Sequence, residues 1–98
     1  MSGQVGSDAS GKCPEDFTEQ FRLAFQHIEA ILTEAGGDLS NIVELTSYHI
    51  GMREHLREFI AVKDEMISEP YPAWTAIGCT ELAMPGAVVE IRAQAVLS

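Results

Sequence analysis

The sequence predicts an α+β fold, a two-layer sandwich with two helices packed on one face of a mixed β-sheet, in the order β-α-β-α-β-β. Three observations predict it. Apolar residues recur at helical spacing in two separate stretches, from Phe17 to Ala35 and from Leu56 to Ile67. Alternating runs suited to strands lie at Ile42 to Ile50, Ala73 to Leu82 and Val88 to Leu97. Strand–helix–strand crossovers are nearly always right-handed, so both helices fall on the same side of the sheet and leave its other face uncovered.

Each element has its own justification. Gln4-Val5-Gly6 reads as the end of a first strand, and Ser7 to Lys12 as a loop. Pro14 suits the first turn of a helix, where Glu15 and Asp16 complement the N-terminal dipole. Phe17, Phe21, Ala24, Ile28, Leu32 and Ala35 then mark one buried face, and Gly36-Gly37 stops the helix. Ile42 to Ile50 is β-branched and ends at Gly51. A second helix runs from about Met52 to Ile67, with Leu56, Phe59, Ile60, Lys63 and Ile67 on one side. Ser68-Glu69-Pro70-Tyr71-Pro72 breaks it. The last two strands are joined through Met84-Pro85-Gly86, which reads as the turn of a hairpin.

The 98 residues make a single domain, residues 1–98, with a core small enough that assembly is a natural supplement. No run of roughly 18 apolar residues is present and no signal-peptide pattern opens the chain, so a cytoplasmic location is expected and membrane insertion is not. Cys13 and Cys79 accordingly read as reduced thiols. The net charge is −9, with only six basic residues against fifteen acidic ones. A surface so charged is a poor platform for a phosphate backbone, which argues against nucleic acid as a partner. His27, His49 and His55 show no metal-ligand spacing, and they read as solvated or hydrogen-bonded structural histidines. No metal or cofactor is implied.

On the last strand, Val89, Ile91, Ala93, Ala95 and Leu97 form an apolar row that belongs under the helices, whereas Glu90, Arg92 and Gln94 face away. On the preceding strand, Ile77 and Cys79 are expected on the helix side, and Trp74, Ala76, Gly78 and Thr80 on the open side. A face with a tryptophan, small residues, one carboxylate and one guanidinium is suited to an interface with a pocket in it.

Five ordered segments carry a resemblance. They are Ser2-Gly3-Gln4-Val5-Gly6, Gly11 with Gln20, Ala35 to Val43, Pro72-Ala73-Trp74-Thr75, and Val89-Glu90-Ile91-Arg92-Ala93. Together they resemble the Rid family, the reactive-intermediate deaminases of the YjgF/YER057c/UK114 group. The resemblance covers nearly the whole chain. It implies a chorismate-mutase-like fold assembled as a homotrimer, with inter-subunit clefts for small amino-, imino- or keto-acid-like metabolites. Members with the complete motifs hydrolyse enamines and imines. There the arginine of a Pro-Ala-Arg-Ser/Thr segment holds the substrate carboxylate, and the glutamate of Val-Glu-Ile is associated with a water.

Two departures follow. Trp74 occupies the arginine position, and an indole offers one N–H and no charge, so the bidentate carboxylate clamp is lost. Family members also carry a leading strand before the Ser-Gly-Gln motif, with a tyrosine that reaches the cleft. The present sequence opens at that motif, and a chain lacking the strand would have one cleft wall and one sheet edge altered.

By this resemblance Glu90 is the candidate catalytic residue, positioning a water, with a salt bridge to Arg92 as the competing reading. Substrate contacts are expected from Ser2, Ala73, Trp74, Thr75, Ala76 and Arg92. Trp74 serves either as a stacking wall or as an interface filler. If the last two strands form a hairpin, Trp74 and Glu90 lie roughly 20 Å apart along it, so a shared ligand needs a second subunit. Three functional classes remain: a divergent imine or enamine hydrolase with altered substrate, a non-catalytic metabolite-binding or accessory trimer, and an RNA-acting translation inhibitor. The acidic charge ranks the last below the others.

Overall fold

The computed structural model describes residues 3–97. The expected architecture is present. A four-stranded sheet in the order β1-β4-β2-β3 is built from β1 (Gln4–Val5), β2 (Ile42–Ile50), β3 (Ala73–Cys79) and β4 (Val89–Ala95). Helices α1 (Phe17–Glu34) and α2 (Met52–Met66) pack against each other and share the core of one sheet face. β3 runs parallel to β2, while β4 is antiparallel to both β2 and β1, so the sheet is mixed.

Two details of the expected topology change. β3 and β4 are not a hairpin, because β2 lies between them. Residues 80–88 instead carry the chain from the edge strand across the end of β2, with Ala87 N–H donating to the Met84 carbonyl at 3.2 Å. Both strands are accordingly shorter than the alternating pattern suggested.

α1 begins at Phe17 and not at Pro14. Asp16 is its N-cap, and its carboxylate accepts from the Thr18 N–H at 2.9 Å. Gly36, at φ +88°, ends the helix. Gly36 N–H donates to the Thr33 carbonyl and Gly37 N–H to that of Leu32, the pairing of a left-handed helix stop. Phe21, Ala24, Phe25, Ile28 and Leu32 form the buried face, while Phe17 lies at its margin. On α2 the buried face is turned by about one position from the expected one. His55, Phe59, Val62 and Lys63 point inward, and Ile60 points out.

β2 holds a bulge at Val43, where its register against β4 shifts between Ile42 and Glu44. One extra residue lets Ile42 and Leu45 both face the helices despite their odd spacing. From Leu45 onward the alternation is regular: Leu45, Ser47 and His49 are buried beneath the helices.

One buried polar side chain ties α1 to both adjoining loops. Gln20 Nε2 donates to the Pro14 and Gly86 carbonyls at 2.8 and 2.9 Å, and its Oε1 accepts from Val88 N–H at 3.1 Å. A short residue at Gly6 allows this junction, since a Cβ there would collide with the Gln20 backbone. Gln20→Leu keeps the volume but removes all three hydrogen bonds, leaving two carbonyls and one N–H at this part-buried junction without their partner. It is expected to lower stability by about 2–4 kcal/mol, read as the shift in urea midpoint at unchanged m-value.

Candidate functional site

The register of β2 with its two neighbours decides where each candidate residue points. Leu45 pairs with Trp74, Ser47 with Ala76 and His49 with Gly78, so these three residues of β3 face the helices. Ala73, Thr75, Ile77 and Cys79 share the open face with Glu44, Thr46, Tyr48 and Ile50. The expectation for β3 is therefore inverted: Trp74 and Ala76 lie under the helices, and Ile77 and Cys79 outside. On β4 the expectation holds, with Val89, Ile91 and Ala93 buried and Glu90, Arg92 and Gln94 on the open face.

The open face brings part of the candidate set together. Thr75, Thr46 and Arg92 lie in one row across three strands, and Tyr48 lies opposite Glu90. Glu44, Thr46, Arg92 and Gln94 line a shallow polar depression of about 90 Å³. The ion pairs among the described residues are Arg22–Glu65 and Lys63–Asp64, and Arg92 enters neither. Glu90 is half-buried, and its carboxylate lies over Gly3, where a Cβ would collide with it. β1 thus closes one side of Glu90. Ser2 lies outside the described residues.

Trp74 is half-buried and packs against the core. Its ring sits 5.8 Å from that of Phe59, the Lys63 ammonium lies 5.0 Å from its centroid, and its indole N–H donates to Ser47 Oγ at 2.8 Å. Two strand spacings and three residues of rise place Trp74 and Glu90 about 14 Å apart, on opposite sides of the sheet. Within one subunit they cannot meet across a ligand.

A buried polar chain that no motif spacing marks lies beside Trp74. Ser47 Oγ is also 2.7 Å from His49 Nε2, and His49 Nδ1 is 3.1 Å from His55 Nε2. All three residues are buried, His49 and Ser47 completely. Burial pushes the His49 imidazole down to about 4, with the neighbouring His55 adding to the effect. Burial also lowers His55, against the partial pull of Glu58 and Glu54. Among the described residues no group of three or more His, Cys, Asp or Glu could hold a metal ion. Cys13 precedes the helix start and touches Met84 Sδ at 3.6 Å; burial, reinforced by Asp8, raises its thiol. That is the opposite of an activated thiolate. Cys13 and Cys79 are both free.

This arrangement of helices, sheet and open polar face is one that known proteins share. A model of the family described as Endoribonuclease L-PSP matches residues 1–97. The chain belongs to that family, the YjgF/Rid proteins. The RutC family protein YjgH of Escherichia coli (strain K12) is 43% identical over 84 residues, 85% of this chain and 64% of that protein. The chain thus spans less than two thirds of this relative's length. Among solved structures, RidA from an Antarctic Psychrobacter superposes with a TM-score of 0.89 at 33% identity, covering 95% of this chain and 75% of that one. E. coli TdcF with bound serine superposes at 0.87 with 26% identity, covering 99% and 78%. No helix among the described residues is long and apolar enough to cross a membrane.

The histidine pair gives the fold a pH dependence with a definite sign. Both imidazoles are depressed below their ordinary value of 6.5, so they stabilise the fold fully above that pH. Their contribution is lost as pH falls toward the folded value of His49, about 4. The depressed carboxylates Asp8, Asp38 and Glu65 act in a lower window, below their ordinary 3.8 to 4.5. The melting temperature is expected to be flat above about pH 6.5 and to fall steadily between there and pH 4, before the carboxylates contribute. Calorimetry across that range checks it.

Proposed function

We propose that this chain works as a homotrimer whose open sheet faces form inter-subunit clefts for small carboxylate metabolites, of the amino-, imino- or keto-acid kind. The observation that carries this reading is Arg92, a guanidinium without an ion pair among the described residues, standing in the polar depression with Thr46. A guanidinium binds a carboxylate with paired N–H donors, and Thr46 and Thr75 in the same row add hydroxyls. The serine bound to TdcF is a ligand of this chemical class.

Assembly follows from what surrounds the depression. Ile77 is 41% exposed on the open face, with Tyr48 and Ile50 half-buried beside it. The outer edge of β3, Ala73–Cys79, is unpaired and carries no charged residue. An uncharged edge beside an apolar patch is covered in stable proteins. A second subunit docked there places the β3 edge, with Ala73, Trp74, Thr75 and Ala76, against the Arg92 face of its neighbour.

Glu90 is the group in this cleft suited to positioning a water, which makes imine or enamine hydrolysis the reaction to test. Non-catalytic binding uses the same Arg92 and dispenses with Glu90. The nuclease reading attached to the family model's description fits this chain least, since a net charge of −9 repels a phosphate backbone.

Three measurements test the reading. Sedimentation at micromolar concentration should give three times the mass of one chain; a monomer overturns the cleft. Titration with serine and with pyruvate should show binding that Arg92→Met weakens about 10–100-fold, the loss of a charge-assisted pair. Equal affinity in the variant removes Arg92 from the site. Glu90→Gln should abolish 2-iminopropionate hydrolysis if the protein is a hydrolase, and leave binding within about threefold in either case.

A further inference from the structure

The hydrogen-bond chain beneath β3 has a direction, and the direction has a consequence. An indole N–H can only donate, so Ser47 Oγ accepts from Trp74. Ser47 is completely buried, and the partner left for its own hydrogen is His49 Nε2 at 2.7 Å. His49 therefore accepts at Nε2, carries its proton on Nδ1, and donates to His55 Nε2 at 3.1 Å. The order is indole to hydroxyl to imidazole to imidazole, with His55 Nε2 as the terminal acceptor.

One proton bound at that acceptor reverses the chain. His55 Nε2–H and His49 Nδ1–H would then face each other across 3.1 Å. Relief requires the His49 proton to move from Nδ1 to Nε2, which now donates to Ser47. Ser47 then accepts from both His49 and Trp74, and its hydroxyl hydrogen is left unpaired in buried space. The oxygen has two lone pairs and can accept from both, but its hydrogen must swing away from His49, so the change at the histidines reaches the atom on which the indole N–H rests. No heavy-atom bond changes, and the balance is one proton taken up from solvent.

We propose that Ser47, His49 and His55 are positioning residues for Trp74, and that protonation of the histidine pair is transmitted through Ser47 to the indole on β3. The surroundings favour entry at the His55 end. From α2, Glu54 and Glu58 act on His55, while Lys63, paired with Asp64, stands over the indole. α1 presents only the rings of Phe17 and Phe21 to His55, and β3 presents Trp74. The acidic neighbours hold His55 above where burial alone would leave it, whereas His49 has no such help. The link itself stands apart from the ligand reading; that it tunes a cleft wall rests on the proposed function.

Trp74 is the only tryptophan in the sequence, so its signals report on this chain alone. The test follows the indole N–H resonance and the His55 ring resonances of the full chain by NMR, from pH 7.5 to 5, with far-UV circular dichroism alongside. The indole resonance is expected to move with the midpoint of His55 while the dichroism stays constant. Ser47→Ala should displace the indole resonance at every pH and cut its pH response at least fivefold, with His55 still titrating. A stationary indole while His55 titrates overturns the proposal, as does an undiminished response in Ser47→Ala. So does loss of helical dichroism at the same midpoint, which would mean acid unfolding. If Ser47→Ala does not fold, the wild-type comparison of the two midpoints decides alone. Because no ligand enters this experiment, failure of the metabolite reading leaves its outcome untouched.

Discussion

β2 is the constraint on which the rest of the molecule depends. Both long neighbours, β3 and β4, are hydrogen-bonded to it, so each inherits its alternation from β2 and not from its own composition. The bulge at Val43 sets that alternation, bringing Ile42 and Leu45 to one side and committing Ser47 and His49 to the core. One residue more or less in this strand would exchange Trp74 for Thr75 and Glu90 for Ile91 between faces. The buried polar chain and the open polar face are two results of one register.

Much of the fold was legible in the sequence because its elements have strong local signals. β2 has the expected bounds, α1 ends where Gly36-Gly37 says it should, and β4 alternates between fully apolar and mostly polar rows. β3 was misread for an equally physical reason. Ala73 to Cys79 holds no charge and no long polar side chain, so neither row announces solvent. With so uninformative a pattern, assigning Ile77 and Cys79 to the helix side leaves Trp74 on the open face by alternation alone. The hairpin reading failed differently: Met84-Pro85-Gly86 does form a turn, but a turn says nothing of which strand lies between its flanks.

The histidine pair could not have been found by spacing. His49 ends a strand and His55 begins a helix, and Gly51, at φ +66°, turns the chain between them. Six residues apart is no motif in either element. Only the reversal at Gly51 folds the helix back over the strand and sets the rings 5.3 Å apart. The signal that existed was compositional: two histidines and a serine among residues otherwise suited to a core.

Trp74, at the position where the resemblance leads one to expect an arginine, is fitted to its surroundings. A guanidinium in that place would stand beside the Lys63 ammonium, within the reach now spanned by the indole, and the two like charges would share one half-buried site. It would also bring several donors where Ser47 offers a single oxygen. The indole suits the same surroundings on every count: one donor for one acceptor, a π-face for Lys63, and a tilted ring contact with Phe59. Trp74, Lys63 and Ser47 therefore form one adjusted unit, and an arginine placed there alone would meet the Lys63 ammonium before it met a carboxylate. Arg92, on the opposite face of the sheet, has no such cation against it and stands outside the ion pairs among the described residues.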